Sequence, residues 1–511
     1  MKINKSPRRL MAAALALSTA FTVTACGDDK EEAGGLDTLN VMSRLLGTAP
    51  SPTGDIQKAV EALIGKKLNI TWVPDSDYND KSNVTLASNK LPDIMVANEK
   101  APAFIKAAEA GAFWDLTGKL DKYPNLVISD PQLAKNAQVN GKTFGIPRIR
   151  PLLRSTISIR KDWLEKVGLQ KPTTVPELYK VAKAFTEQDP DGNGKKDTYG
   201  LIIPKWPGAY ASSSPLDAFE VWHGAPNGWG ERDGKLVPGF ATDEFFAANK
   251  ELRKWVDEGL VNPDFATLDT ANWMDPFVQD KGGIIIDVTV RATQLFDLFK
   301  EKDPKDYDKV VQTGNLGRGD GQKFSLPFNG YSSVLAISKQ RIKSDEQLDE
   351  VLTVLDKLQG PEGSILLTNG IEGKTFKRDG EWAVQLDPAD PTVKQLQNDV
   401  DKAFIQLGTR HSVGMEALPL KPSDPAKLKL VEEREPLMVE DLKTAVHNPA
   451  LSIVAPTLIA KGASIEKIVS DARVKYLAGT IDEAGFRAEI KRWYDGGGTQ
   501  IVEETNQLYK K

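Results

Sequence analysis

The chain has one cysteine and three histidines in 511 residues. Lone Cys26 excludes an internal disulfide and any cysteine-clustered zinc site. His223, His411 and His447 stand far apart, and none falls in the H-E-x-x-H spacing of a zinc hydrolase. No G-x-S-x-G elbow and no P-loop occurs. Beyond the N-terminus, no stretch approaches the roughly 18 apolar residues that span a bilayer. Positive charge is also short, since 66 Lys and Arg face 71 Asp and Glu. Four of those cations (Lys2, Lys5, Arg8, Arg9) precede residue 10, and without them the formal charge falls from -5 to -9. An acidic body argues against nucleic-acid binding, which phosphate neutralisation drives. A mean hydropathy of -0.36 and 40 % apolar residues describe a soluble globular chain. Its length allows two to four domains or two large lobes.

What the N-terminus does have is ordered. Residues 1–9 are basic, and residues 10–23 are apolar or small, with Ser18, Thr19 and Thr22 as the only hydroxyls. That is a charged region followed by an apolar one of signal-peptide length. Val23-Thr24-Ala25-Cys26-Gly27 follows and resembles the bacterial lipobox, in which the peptidase cuts before a cysteine that then carries diacylglycerol. The only cysteine lies where that signal requires it. The resemblance implies a signal peptide over 1–25, lipidation at Cys26 and anchoring by two or three acyl chains. Residues 26–35 are charged and end in glycine, which reads as a flexible tether. The expected location is the outer face of the cytoplasmic membrane.

Downstream, strand-like and helix-like segments alternate. Leu39–Met42, Leu68–Trp72, Ile94–Val96 and Gly283–Val288 are short β-rich runs, and Leu201–Ile203 reads as another. Ile56, Val60, Leu63 and Ile64 share one helical face. Capping boxes at Thr174, Ser344 and Thr480 open three more helices, the last ending before Gly496-Gly497-Gly498. Alternation over the whole length predicts an α/β protein.

Taken in order, several segments resemble the bacterial extracellular solute-binding proteins of carbohydrate ABC importers, in their oligosaccharide- and alginate-binding branch. They are Leu91-Pro92-Asp93-Ile94 with Gly111-Ala112-Phe113-Trp114-Asp115-Leu116-Thr117, then Gly141-Lys142-Thr143-Phe144-Gly145-Ile146-Pro147, and Ile159-Arg160-Lys161-Asp162-Trp163-Leu164. The loop at 189–200, Glu258-Gly259-Leu260 with Pro263-Asp264-Phe265, Leu326-Pro327-Phe328-Asn329-Gly330-Tyr331 and Pro361-Glu362-Gly363 follow. The resemblance implies a two-lobed periplasmic-binding-protein-like fold with a hinge and a ligand cleft between the lobes. Lobe one would hold 36–150 and 326–390. Lobe two would hold 151–325 and the C-terminal helices of 391–511. Ligand contacts on both lobes would favour closure.

Two sets of side chains carry the expected chemistry. Asp189, Asp191, Asn193, the Lys195 carbonyl and Asp197 fall at positions 1, 3, 5, 7 and 9 of an EF-hand-like loop, with Gly194 at the sharp turn. Position 12 is Gly200 instead of glutamate, and Thr198 follows the ninth position where the alginate-binding branch can place an acid. Water or a distant carboxylate would have to complete the shell. A structural calcium site is expected, with a bare solvated turn as the alternative. For the ligand, a sugar needs aromatic platforms and planar polar groups in a water-excluding cleft. Trp206, Trp222, Trp273, Asn329 and Tyr331 are the candidates, together with Arg148 from the cluster Arg148, Arg150, Arg154 and Arg160. Arginine forks grip vicinal hydroxyls or a carboxylate, so that cluster also raises an anionic sugar. The resulting expectation is a monomeric, non-catalytic, lipid-anchored receptor that delivers an oligosaccharide to ABC permease subunits. A ligand-sensing lipoprotein of the same fold, or a receptor for a non-sugar solute such as a peptide, is the alternative.

Overall fold

The computed structural model describes residues 36–509, apart from 89 and 409–416. The signal peptide, Cys26, the tether and His411 lie outside the described residues. Thirteen strands follow in chain order: β1 (Thr38–Leu45), β2 (Lys67–Pro74), β3 (Ile94–Asn98), β4 (Ile146–Ile149), β5 (Ser155–Arg160), β6 (Tyr199–Leu201), β7 (Trp229–Arg232), β8 (Lys235–Pro238), β9 (Gly282–Val288), β10 (Val310–Thr313), β11 (Tyr331–Ile337), β12 (Phe376–Asp379) and β13 (Trp382–Gln385).

Two sheets organise the molecule. The first has the order β2-β1-β3-β11-β4, with β1 parallel to β2 and β3, and β11 antiparallel to β3 and β4. The second has the order β10-β5-β9-β6, with β5 antiparallel to both its neighbours and β9 parallel to β6. Each sheet buries both faces under helices. Ile56, Val60 and Ile64 of the helix Asp55–Ile64 pack on one face of the first sheet, with Leu348, Val351 and Leu355. Leu178, Val181 and Phe185 of the helix Val175–Glu187 pack with Ile157, Ile284 and Trp255 in the second. The chain passes between the sheets at 150–154 and returns through 324–330. It crosses once more near 421–424, where Lys421 bonds Ala383 of the first lobe and Asp424 bonds Lys300 of the second. The architecture is α/β, two-lobed and hinged.

Three local details go beyond or differ from the sequence reading. The helix Pro391–Lys402 buries Leu396 and Val400 in the core of the first lobe beside Phe404, whose ring meets Trp72 edge-on at 5.5 Å. Its apolar stripe announces burial without saying against which sheet. Asp482, not Thr480, caps the helix Glu483–Trp493 by accepting from the Gly485 N–H, while the Thr480 hydroxyl donates to the Lys475 carbonyl of the preceding helix. Ser344 caps its helix from one side only, because the Gln347 side chain accepts from Lys343 and not from the cap residue. The Gly496-Gly497-Gly498 run is a wide turn, with Gly497 at φ 131, before the last helix Thr499–Tyr509.

Candidate ligand cleft

In open sheets of this kind, ligands bind outside the carboxyl ends of parallel strands. Here the ends of β3 and β9 converge on the crossing strands. β3 delivers Glu99 and Lys100, and β9 delivers Asp287. The outgoing crossing supplies Arg150 and Arg154, and the return crossing supplies Phe328 and Asn329. Burial pushes the Glu99 carboxyl up to about 7, with the Asn329 amide nitrogen 3.4 Å from both of its oxygens. Burial likewise pushes Lys100 down to about 8, and its ammonium donates to the Gln138 carbonyl. Arg150 falls to about 10, first through burial and then through the charge of Arg154. On the far wall, Arg291 donates from Nε to Asp287 at 2.7 Å and lies 5.2 Å over the Trp273 ring.

Cavities with residues of both lobes on their walls are also present. One of about 470 Å³ has Lys100, Pro102 and Ile105 of the first lobe opposite Tyr210, Trp229 and Asn448. Another of about 710 Å³ has Thr368, Asn369 and Trp382 opposite Thr293 and Lys427. Both volumes suit a small ligand.

The residues singled out by sequence divide into two groups. Trp206 is half-buried on the second lobe, and Asn329 is half-buried on the return crossing beside Glu99. Trp206 meets Trp273 edge-on at 6.0 Å and donates to the Ser212 hydroxyl at 2.8 Å. The other four are structural. Arg148 is buried, donating to the Gly408 and Ile405 carbonyls and to Ser333, so it staples the turn after 404 to the first sheet. Trp222 is 1 % exposed in the second core and donates to the Asn315 side chain at 2.8 Å. Trp273 is 2 % exposed and donates to the Ile202 carbonyl, so it supports Arg291 and Trp206 without offering a platform. Tyr331 is buried in the core beneath the first sheet. Arg160 is also internal, paired with Asp162 and Asp280. Glycine and polar residues around a tryptophan mark a loop, and a loop tryptophan can point into a core as easily as into a cleft. Sequence reasoning passed over Glu99, Asp287, Arg291 and Phe328. The first two were detectable as charged residues at or near the carboxyl ends of strands it had already placed.

In the loop at 189–200, the backbone N–H groups of Gly192, Asn193 and Gly194 donate to Asp189 at 3.0–3.1 Å. The Asn193 amide bridges Asp191 and Asp197, and Lys281 pairs with Asp197 at 2.7 Å. Burial and the hydrogen bond with Asp189 push Asp191 up, while Asp189 is held down by the same contact and by its backbone donors. Two carboxyls thus crowd one turn, an arrangement that a hard cation relieves. Among the described residues no group of three or more His, Cys, Asp and Glu side chains is arranged to hold a metal ion. The donor chemistry fits calcium; the present geometry is that of a hydrogen-bonded turn.

The profile of the bacterial extracellular solute-binding proteins matches residues 49–310. This chain belongs to that family. Two Bacillus subtilis (strain 168) proteins align over most of its length. Lipoprotein LipO is 39 % identical over 480 residues, with 93 % of each chain covered. The polygalacturonan/rhamnogalacturonan-binding protein YtcQ is 32 % identical, covering 89 % of this chain and 88 % of its own. A crystal structure of an extracellular solute-binding protein from Bifidobacterium longum subsp. infantis superposes with a TM-score of 0.71 at 20 % identity, covering 94 % of this chain and 99 % of that one. At that identity the likeness concerns the fold alone. Family members are binding proteins of the extracellular side, and no helix among the described residues is long and apolar enough to cross a membrane.

Proposed function

We propose that this protein is a lipid-anchored receptor that captures an oligosaccharide between its lobes and presents it to the permease subunits of an ABC importer. The observation that carries this reading is the convergence of Glu99, Arg154 and Asp287, with Phe328 and Asn329 beside them, where two sheets point their strand ends at one hinge. The site mixes planar polar groups with aromatic edges, which is what hydroxyl-ringed, flat-faced sugars require. Carbohydrate as the ligand class is supported by the name of YtcQ. The lipobox-like sequence at Cys26 and the name of LipO support the anchor, with 1–25 as signal peptide and 26–35 as tether. Lobe one comprises 36–150 and 326–407, and lobe two comprises 151–325 and 425–511. Trp206 and Asn329 contact the sugar. Asp189, Asp191, Asn193, the Lys195 carbonyl and Asp197 hold a calcium ion that stiffens the loop after the helix Val175–Glu187. The protein binds without turnover: closure on the ligand creates the form that docks, and no residue cluster is assigned a catalytic step.

Calorimetric titration and thermal unfolding of the compact Leu36–Lys511 unit test this reading. The panel is neutral and uronic oligosaccharides, each with calcium or chelator. One sugar class is expected to bind with no product formed, raising stability by about 2.7 kcal/mol at a hundredfold excess over Kd. Chelator is expected to lower the melting temperature. A folded protein that binds no sugar contradicts the carbohydrate assignment, and one indifferent to calcium leaves the loop a bare turn.

A further inference from the structure

The buried cations of this protein have partners. Arg148 has carbonyls, Arg160 has two aspartates, and Arg473 has an aspartate and a glutamate. Arg154 differs. It sits half-buried on the outgoing crossing, between the two lobes. Its Nε is buried without an acceptor, and no described residue makes a side-chain hydrogen bond or ion pair with it. Its guanidinium lies 4.5 Å over the ring of Phe328 on the return crossing. A guanidinium over a ring is steadied by the cation–π attraction, and its edge is a planar fork of donors.

Among the described residues the surrounding charge leans the same way, with Lys100, Arg154 and Arg291 against Glu99 and Asp287. Asp287 is already paired with Arg291. Glu99 and Asp287 act on Arg154 electrostatically without pairing with it. Closing the lobes removes water from this cluster, and a buried cation without a counter-charge is costly. A neutral sugar leaves that excess in place. A sugar carboxylate cancels it and supplies two acceptors matched to the fork.

We propose that Arg154, backed by Phe328, selects acidic sugars by receiving the carboxylate of a uronic-acid ring, so that the oligosaccharide taken by this receptor is a uronide. The proposal rests on the receptor reading above and narrows it. Arg154 is the specificity residue, Phe328 steadies its guanidinium, and Arg150 and Lys100 add to the attracting field.

The probes are trisaccharides of galacturonate, mannuronate and glucuronate, the methyl ester of each, and matched neutral trisaccharides, titrated into the wild-type protein. A methyl ester keeps ring and linkage while removing the charge. One acid is expected to bind at least about tenfold more tightly than its ester, with an affinity that falls as salt rises. Arg154→Gln is expected to bring acid and ester to within about threefold of each other, and Arg154→Lys to keep part of the preference, because the charge stays and the fork goes. The acid-against-ester comparison on the wild type stands even where a variant folds poorly. Neutral sugars or esters bound as tightly as any acid overturn the uronide proposal and leave the receptor reading intact. An acid preference that survives Arg154→Gln overturns the role of Arg154. Absence of binding by every sugar, charged or neutral, overturns both readings together.

Discussion

Arg473→Ala is expected to destabilise the protein by about 3–5 kcal/mol, the usual cost of stripping one partner from a buried ion network. Arg473 projects from the helix Pro456–Leu477 into the second core, fully buried. Its Nη1 donates to Asp217 at 2.6 Å and lies 3.3 Å from both oxygens of Glu220. Asn249 donates to Glu220 as well, and the Tyr210 ring lies 5.2 Å from the guanidinium. Without the cation, two carboxylates remain in an interior that has pushed Glu220 up to about 7. A carboxyl with a raised folded pKa stabilises below its ordinary value of 4.5 and loses that contribution as pH rises toward 7. The deficit of the variant is therefore expected to be small near pH 5 and largest near pH 8. Urea unfolding across that range measures it, and a loss under 1 kcal/mol at pH 8 would show that the network is not what fastens the C-terminal helices to lobe two.

Asp441→Ala is the second large effect, about 2–4 kcal/mol. Buried Asp441 accepts from the Asn315 N–H and the Asn315 side-chain amide, both at 2.8 Å, and pairs with Lys323 at 2.8 Å. Asn315 in turn accepts from the Trp222 indole and the Leu326 N–H. One carboxylate therefore ties the exit of β10, the return crossing and the segment at 441–446, where Ser325 bridges Ala445. Alanine orphans two buried donors at the hinge. Asp441→Asn keeps one acceptor, loses the ion pair and is expected to cost about half as much. The variant should melt lower and be cut faster by protease near 320–330. Unchanged melting for Asp441→Ala would remove the hinge network from the energetics.

Much of the fold was legible because its signals are local. Leu39–Met42 and Gly283–Val288 are apolar runs that only a covered sheet accommodates, and Thr174 caps its helix reciprocally, as Thr-Val-Pro-Glu implies. Where the fold departs, a local signal had more than one solution. Thr480 and Asp482 are both cap residues, and the helix took the one whose carboxylate reaches the Gly485 N–H. The site was less legible, because exposure is a property of the whole fold. Trp206 and Trp222 occupy similar company in sequence, yet one stays half-buried beside Trp273 and the other ends beneath Asn315. Arg148 and Arg154 are six positions apart, the first on β4 and the second on the crossing that follows it; the first is spent on backbone carbonyls, and the Nε of the second has no acceptor. No pattern of residue types separates those two fates.

The central claim is capture by closure of two lobes, and the distance between the lobes tests it most directly. The Leu36–Lys511 unit lacks Cys26 and so has no cysteine of its own. Labels at Lys58→Cys, on the helix Asp55–Ile64, and Lys180→Cys, on the helix Val175–Glu187, then report one lobe against the other, since both positions are exposed. A saturating oligosaccharide from the titration panel is expected to shorten that distance by several ångströms, with the same concentration dependence as its binding heat. Ligand bound at full stoichiometry with the distance unchanged would contradict capture by closure.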